Sequence, residues 1–245
     1  MTTLLLVGAA FLAGGTIKGM LGLGLPPVAM GLMVLVMTPV QAAAILVLPT
    51  VLTNIWQMLD GGNVGALARR LWPFLVCLVI GVFLGRGWLS DDNAAINTAA
   101  LGVIIVIYGL LGLRELVLSV SRRVERWASA PAGLLSGMAM AATGIAFFPL
   151  VPYLQGLELT RDRLVQALGL VFTTMSVAFG VMLASKGQLT LDVAPHAITA
   201  FAATVLGVYL GRRVRKRLPE ERFRTALFIG SVVFGASLIV KAVWG

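Results

Sequence analysis

Eight apolar stretches divide this chain, at roughly 4–37, 39–59, 71–89, 94–118, 128–156, 164–185, 193–211 and 223–243. About 20 residues of helix cross a bilayer, and all but the first and fifth stretches fit a single crossing. Backbone groups in hydrocarbon must be satisfied within the chain, so the stretches read as helices. No alternating pattern of the kind a membrane barrel needs is present. With 59% of its 245 residues hydrophobic and 12% charged, the chain is not a soluble domain. The expected class is an all-α integral membrane protein.

The first and fifth stretches are long and interrupted. Gly14–Pro27 packs five glycines and two prolines into fourteen residues. Glycine weakens a helix, and proline removes a donor and clashes with the preceding turn, so a break is expected there. The fifth stretch carries Ser136-Gly137, Thr143-Gly144, Pro149 and Pro152. A broken membrane helix is tolerated where it is buried in protein or lines a wet cavity.

The two halves echo each other. Gly81-Val82-Phe83-Leu84-Gly85-Arg86 returns as Gly207-Val208-Tyr209-Leu210-Gly211-Arg212, 126 positions on. Val40-Gln41-Ala42 returns as Val165-Gln166-Ala167, 125 on, and Gly15, Gly22 and Pro27 match Gly137, Gly144 and Pro149 at 122. A common order at a near-constant offset indicates duplication. The organisation expected is a first transmembrane repeat over 1–118, a cytoplasmic linker over 119–129 and a second repeat over 130–245. Paired interrupted segments in two halves point to a transport site.

Charge sets the topology. With eight single crossings the loop cations split almost evenly between the faces. If stretches one and five instead enter and leave by one face, as re-entrant hairpins, fifteen cations share one side and only Arg86, Lys186 and Lys241 face the other. The positive-inside rule favours the second arrangement. Each half is then a broken hairpin plus three transmembrane helices, the halves are inverted, and both termini lie on the periplasmic side. The net charge of +9 is thus an orientation signal rather than a nucleic-acid footprint. The run from Arg212 to Arg217 reads the same way. The N-terminus lacks the basic start of a secretory signal and is kept as part of the fold.

Several function classes lack their residues. There is no phosphate loop and no His-Glu-x-x-His. One histidine, His196, and one cysteine, Cys77, cannot supply a usual zinc site or an internal disulfide. His196 sits near a segment start and reads as interfacial. No enzyme, metal or cofactor is expected. All ten carboxylates, including Asp91, Glu115 and Glu125, fall in loops or at segment ends, so a carboxylate proton relay has no obvious members. Lys18 remains as the one charge inside the first stretch. It either meets an anion beside the break, with amides of half-helix N-termini, or snorkels and caps carbonyls.

The candidate substrate-binding set is Lys18, Gly19, Gly22 and Gly24 at the first break, and Thr143 and Gly144 at the second. Gln41, Thr50, Thr53, Asn54 and Gln57 follow the first break, the last four sharing one helix face. Gln166, Thr173 and Thr174 occupy the corresponding region of the second half. Such neutral donors either bind an oxyanion or hydrogen-bond between helices.

These residues resemble the TauE/SafE family, also called the sulfite exporter family. The likeness covers nearly the whole chain. It rests on Gly14–Pro27, Pro39-x-Gln41-Ala42, Thr53-Asn54, the echo Gly137–Pro152, and the Gly-Arg pairs at 85–86 and 211–212. It implies a bacterial inner-membrane transporter of sulfite, organosulfonates or related sulfur oxyanions. The family pattern is chiefly glycine around Lys18. The expectation is an exporter working by alternating access between two broken helices. The alternatives are an anion channel or an importer of a small organic acid. The partners are a small anion and the lipid bilayer, not nucleic acid, and the chain is either a monomer or a homodimer.

Overall fold

The computed structural model describes residues 2–90, 92–114, 120–215 and 220–244. Asp91, Glu115 and Arg217, named above, and the first position of the expected linker, 119, lie outside the described residues. Ten α-helices follow in order: α1 Thr2–Leu21, α2 Leu25–Met33, α3 Pro39–Leu59, α4 Val64–Leu84, α5 Ala94–Arg114, α6 Arg122–Thr143, α7 Leu150–Gln155, α8 Arg161–Ser185, α9 Ala194–Arg215 and α10 Glu220–Trp244. No strand occurs among the described residues. Seven helices (α1, α3, α4, α5, α8, α9 and α10) are long and apolar enough to cross a membrane. The protein is an all-α, multi-pass membrane protein.

Local chemistry sets several boundaries. Thr38 caps α3 in a reciprocal box with Gln41, and Pro39 fills the first helical position, where its missing N–H costs nothing. Ser121 caps α6 by accepting from the Val124 amide. Gly144 ends α6 in the left-handed conformation, at φ 74°, which glycine adopts without a Cβ penalty.

The breaks are narrower than the glycine content predicts. Gly14, Gly15 and Gly19 all lie within α1, and only residues 22–24 interrupt it, with Gly22 and Gly24 at positive φ. Pro26 and Pro27 sit in the first turn of α2. In the same way α6 runs through Ser136-Gly137 and stops only at Thr143. The helical glycines serve packing instead. Gly15 and Gly19 bring α1 against the backbone of α9 at Thr204 and Val208, and Gly207 and Gly211 return the contact at Leu12 and Thr16. Gly133 and Gly137 do the same for α6 against α4 at Phe74 and Leu78, while Gly81 meets Leu134. Small residues permit such approach where lipid supplies no hydrophobic drive between helices.

These contacts also fix direction. The residue pairs rise together, so α1 is parallel to α9 and α6 is parallel to α4. In contrast α3 and α8 are antiparallel, since Gln57 bonds the Val165 carbonyl while Val47 meets Gly180. α5 and α10 are antiparallel too, Gly102 facing Gly235 and Gly109 facing Phe228. Short loops reverse the chain between α3 and α4 and between α8 and α9. It follows that α1 and α3 run the same way and that α2 must return between them. Likewise α6 and α8 run the same way, with α7 on the return. Each broken stretch is a hairpin with one long arm and one short one. The long first arm, about 30 Å at 1.5 Å per residue, departs from a break at the middle of the stretch.

Helix direction sorts the cations. Arg69, Arg70, Arg114, Arg122, Arg123, Arg126, Arg163, Arg212 and Arg213 lie toward one end of the bundle, and Arg86, Lys186 and Lys241 toward the other. The last two cap carbonyls there, of Leu89 and Val34. Residues 122–129, expected in the linker, form the first two turns of α6, with Trp127 exposed and Glu125 and Ser129 buried.

Candidate functional site

Lys18 lies in the last turn of α1, one turn before the first break. Its ammonium donates to Thr53 Oγ1 at 3.0 Å and to Asn54 Oδ1, both on α3. Thr53 and Asn54 are buried, and Lys18 is half-buried. Thr53 in turn donates to the Pro49 carbonyl at 2.7 Å. Pro49 inside α3 cannot donate to the turn before it, and Thr50, nearby, donates to Leu46 O and Val47 O. The hydroxyls therefore stay tied to α3, and Thr53 presents its lone pair to the ammonium. Asn54 accepts through Oδ1, which leaves its amide hydrogens as donors. No carboxylate pairs with Lys18 among the described residues. A central lysine costs roughly 2.5–3.5 kcal/mol on the insertion scale, and two neutral acceptors offset only part of that.

The first break adds backbone donors. Gly22 N–H bonds Lys18 O and Val28 N–H bonds Gly24 O. The amides of Leu23, Gly24 and Leu25 have no acceptor among the described residues, although Gly24 and Leu25 are buried. Consecutive free amides around a left-handed residue form a concavity suited to an anion. Pro26 and Pro27 remove two further N–H groups from the α2 terminus. The donors are those of the break itself rather than a full helix N-terminus. At the second break Thr143 Oγ1 donates to Ala139 O and Ile145 O and accepts from Ile145 N–H. The amides of Ala146 and Phe147 again have no acceptor among the described residues.

The remaining sequence candidates separate. Gly19 packs on Val208. Gln41 is exposed and serves the α3 cap, thirteen positions before Asn54 and about 20 Å from it along the helix. Gln57 bonds Val165 O, and Gln166 bonds Met58 O while accepting from Asn63 N–H, so both stitch the end of α3 to the start of α8. Thr173 and Thr174 bond carbonyls one turn back, at Gly169 and Leu170. Gly144 lies against Met30 and Ala43, eleven positions from Asn54 along α3. His196 makes a 3.4 Å contact to Asp192 O near the start of α9. Lys18, Thr53 and Asn54 are the members the fold joins side chain to side chain.

Two features escaped the sequence reading. Tyr108 of α5 packs tilted against Phe147, at 4.5 Å between ring centroids, and edge-to-face against Phe228, at 5.2 Å. Its hydroxyl lies 3.7 Å from where a Cβ on Gly24 would stand. Only three tyrosines occur in the chain, and one amid the aliphatic run of α5 was the available signal. The other feature is Arg70, which holds buried Glu125 through two bonds of 2.7 and 2.9 Å and also donates to Leu157 O. Glu125 was legible as a segment-end residue, but nothing local reveals a partner 55 positions away.

Seven apolar helices of membrane-crossing length, packed into one bundle around two chain breaks, define a multi-pass membrane protein. The chain belongs to the sulfite exporter TauE/SafE family, whose model matches residues 6–238, and it is a membrane transporter. It is 27% identical over 223 residues to a Cupriavidus necator protein described as a probable sulfite/organosulfonate exporter TauE, a match spanning 91% of this chain and 83% of that one. No solved structure matches it significantly.

Proposed function

We propose that the protein exports a small sulfur oxyanion, sulfite or a short organosulfonate, across the bacterial inner membrane by alternating access. The observation that carries this reading is Lys18, an ammonium inside a membrane-length helix held by two neutral oxygens and by no carboxylate among the described residues. An anion in contact with it, with Asn54 and with the amides of residues 23–25 would complete its neutralisation. The halves are read as inverted repeats. Exchanging them carries the contact of Gly15 with Thr204 into that of Gly137 with Leu78, and the contact of Gly207 with Leu12 into that of Gly81 with Leu134. Inverted repeats give a carrier two related conformations. The arginine-rich end is assigned to the cytoplasm, which leaves both termini on the periplasmic side.

Energetics favours export. With the inside negative, each departing negative charge gains about 2.3 kcal/mol per 100 mV, so no coupling ion is required. Transport proceeds without covalent chemistry. Purified protein in liposomes tests the reading: sulfite or sulfonate efflux should saturate and show counterflow. Unsaturable flux with large unitary currents would establish a channel instead. Absence of flux for every sulfur oxyanion would overturn the substrate class.

A further inference from the structure

We propose that Tyr108 is a second contact for the transported oxyanion, donating from its phenolic hydroxyl at the place where the two breaks come together. The inference rests on the anion-transport reading above and adds to it a residue and a location. Tyr108 is buried, and its hydroxyl is the one buried side-chain polar atom without a hydrogen-bond partner among the described residues. Burying a hydroxyl unpaired is unfavourable. If packing against Phe147 and Phe228 were its whole role, phenylalanine would serve without that cost.

The surroundings say what it faces. The hydroxyl approaches Gly24, whose φ of 107° places it in the break, and the side of Gly24 facing it is closed by Ile17 of α1. The free amides of Leu23, Gly24 and Leu25 belong to the same three-residue segment. The ring meanwhile rests on Phe147 in the second break, beside the free amides of Ala146 and Phe147. One tyrosine thus lies against both interrupted segments, and unpaired amide donors flank it in each. A phenolic O–H and neighbouring amide N–H groups are donors that an oxyanion can accept from. In an apolar surrounding a neutral O–H binds an anion strongly without adding another buried charge.

Calorimetric titration of the purified full-length protein with sulfite, together with thermal unfolding in its absence, tests the assignment in wild type, Tyr108→Phe and Lys18→Gln. Tyr108→Phe should weaken sulfite binding about 10- to 100-fold. Its unfolding midpoint without sulfite should equal or exceed that of wild type, because an unpaired hydroxyl has been removed. Unchanged affinity in Tyr108→Phe, with affinity lost in Lys18→Gln, would overturn the tyrosine contact and leave the transport reading standing. A midpoint that falls with the affinity would also overturn it, by showing a structural partner for the hydroxyl. A wild type that binds neither sulfite nor an organosulfonate would remove the transport reading and this inference together.

Discussion

Around the first break Lys18, Thr53 and Asn54 form a polar cluster. The residues 122 and 125 positions further on are Met140, Ala178 and Phe179, all buried and apolar. The backbones do not differ in this way. Gly22 and Gly144 turn at φ 80° and 74°, and Gly15 and Gly137 each bed a helix on a neighbour's backbone. The lesson is that the scaffold is held in common while charge is confined to one side. A carrier rocking between two related conformations needs matching halves. A small anion needs one cation, and a second buried ammonium would add the insertion cost again.

The largest expected effect is one both halves share. A Cβ on Gly15 would stand 2.6 Å from the Thr204 carbonyl oxygen, and one on Gly137 would collide with the Leu78 carbonyl. Backbone cannot yield there as a side-chain tip can. Gly15→Val and Gly137→Val should each lower the yield of monodisperse protein at least about tenfold, as overpacking costs of 1–3 kcal/mol or more imply. Fluorescence-detected size exclusion measures this. Tolerance of one substitution but not the other would break the equivalence of the two helix crossings.

The feet of the hairpins should differ. Arg70 and Glu125 pin α6 to α4 with little solvent at either side chain, 19% and 8% exposed. The positions related by the same offsets are His196 and Thr3, at the opposite end of the bundle and without an ion pair among the described residues. Arg70→Ala strands a buried carboxylate and should cost about 3 kcal/mol. His196→Ala should leave the unfolding midpoint within about a degree, as surface substitutions do. Similar losses in both would show that the pair adds nothing specific to the second hairpin.

Function should track the polar cluster alone. Lys18→Gln keeps a hydrogen-bonding side chain but removes the charge, and sulfite efflux should fall about 10- to 100-fold. Met140→Leu, at the matching place, should retain rates within about twofold, since a volume-conserving apolar exchange is tolerated. Initial efflux rates from liposomes decide it, and equal losses would dissolve the contrast between the two breaks.

Sequence made the membrane class, the paired interruptions and the prominence of Lys18 legible, because each rests on composition or on residues close in the chain. The extent of the breaks did not follow, because glycine content cannot distinguish a turn from a close helix crossing. Gly22 turns the chain, whereas Gly15 and Gly19 remain helical under α9. The site was legible where partners share a helix face, as Thr53 and Asn54 do. Tyr108 and Arg70 were invisible because their surroundings are assembled by tertiary packing. Gln41 and Gln166 mark the same limit, since matching positions in the two halves have come to hold different things.

That pair supplies the smallest effect and the finest comparison. Gln41 accepts from Thr38 N–H at 3.3 Å on an exposed helix start, where water competes for the same donor. Losing one side of a capping box there should cost about 0.5–1 kcal/mol. Gln166 is 1% exposed and bonds the Met58 carbonyl at 3.0 Å and the Asn63 amide at 3.3 Å. These are backbone groups at the end of α3 and the start of α4 with no helical partner of their own. Gln166→Ala leaves both unpaired under α8 and should cost about 1–3 kcal/mol. Thermal unfolding of the two alanine variants in one detergent should therefore rank Gln166 well below Gln41. The reverse order would mean that the seam between α3 and α8 opens in solution, and that Gln166 faces water rather than holding the halves together.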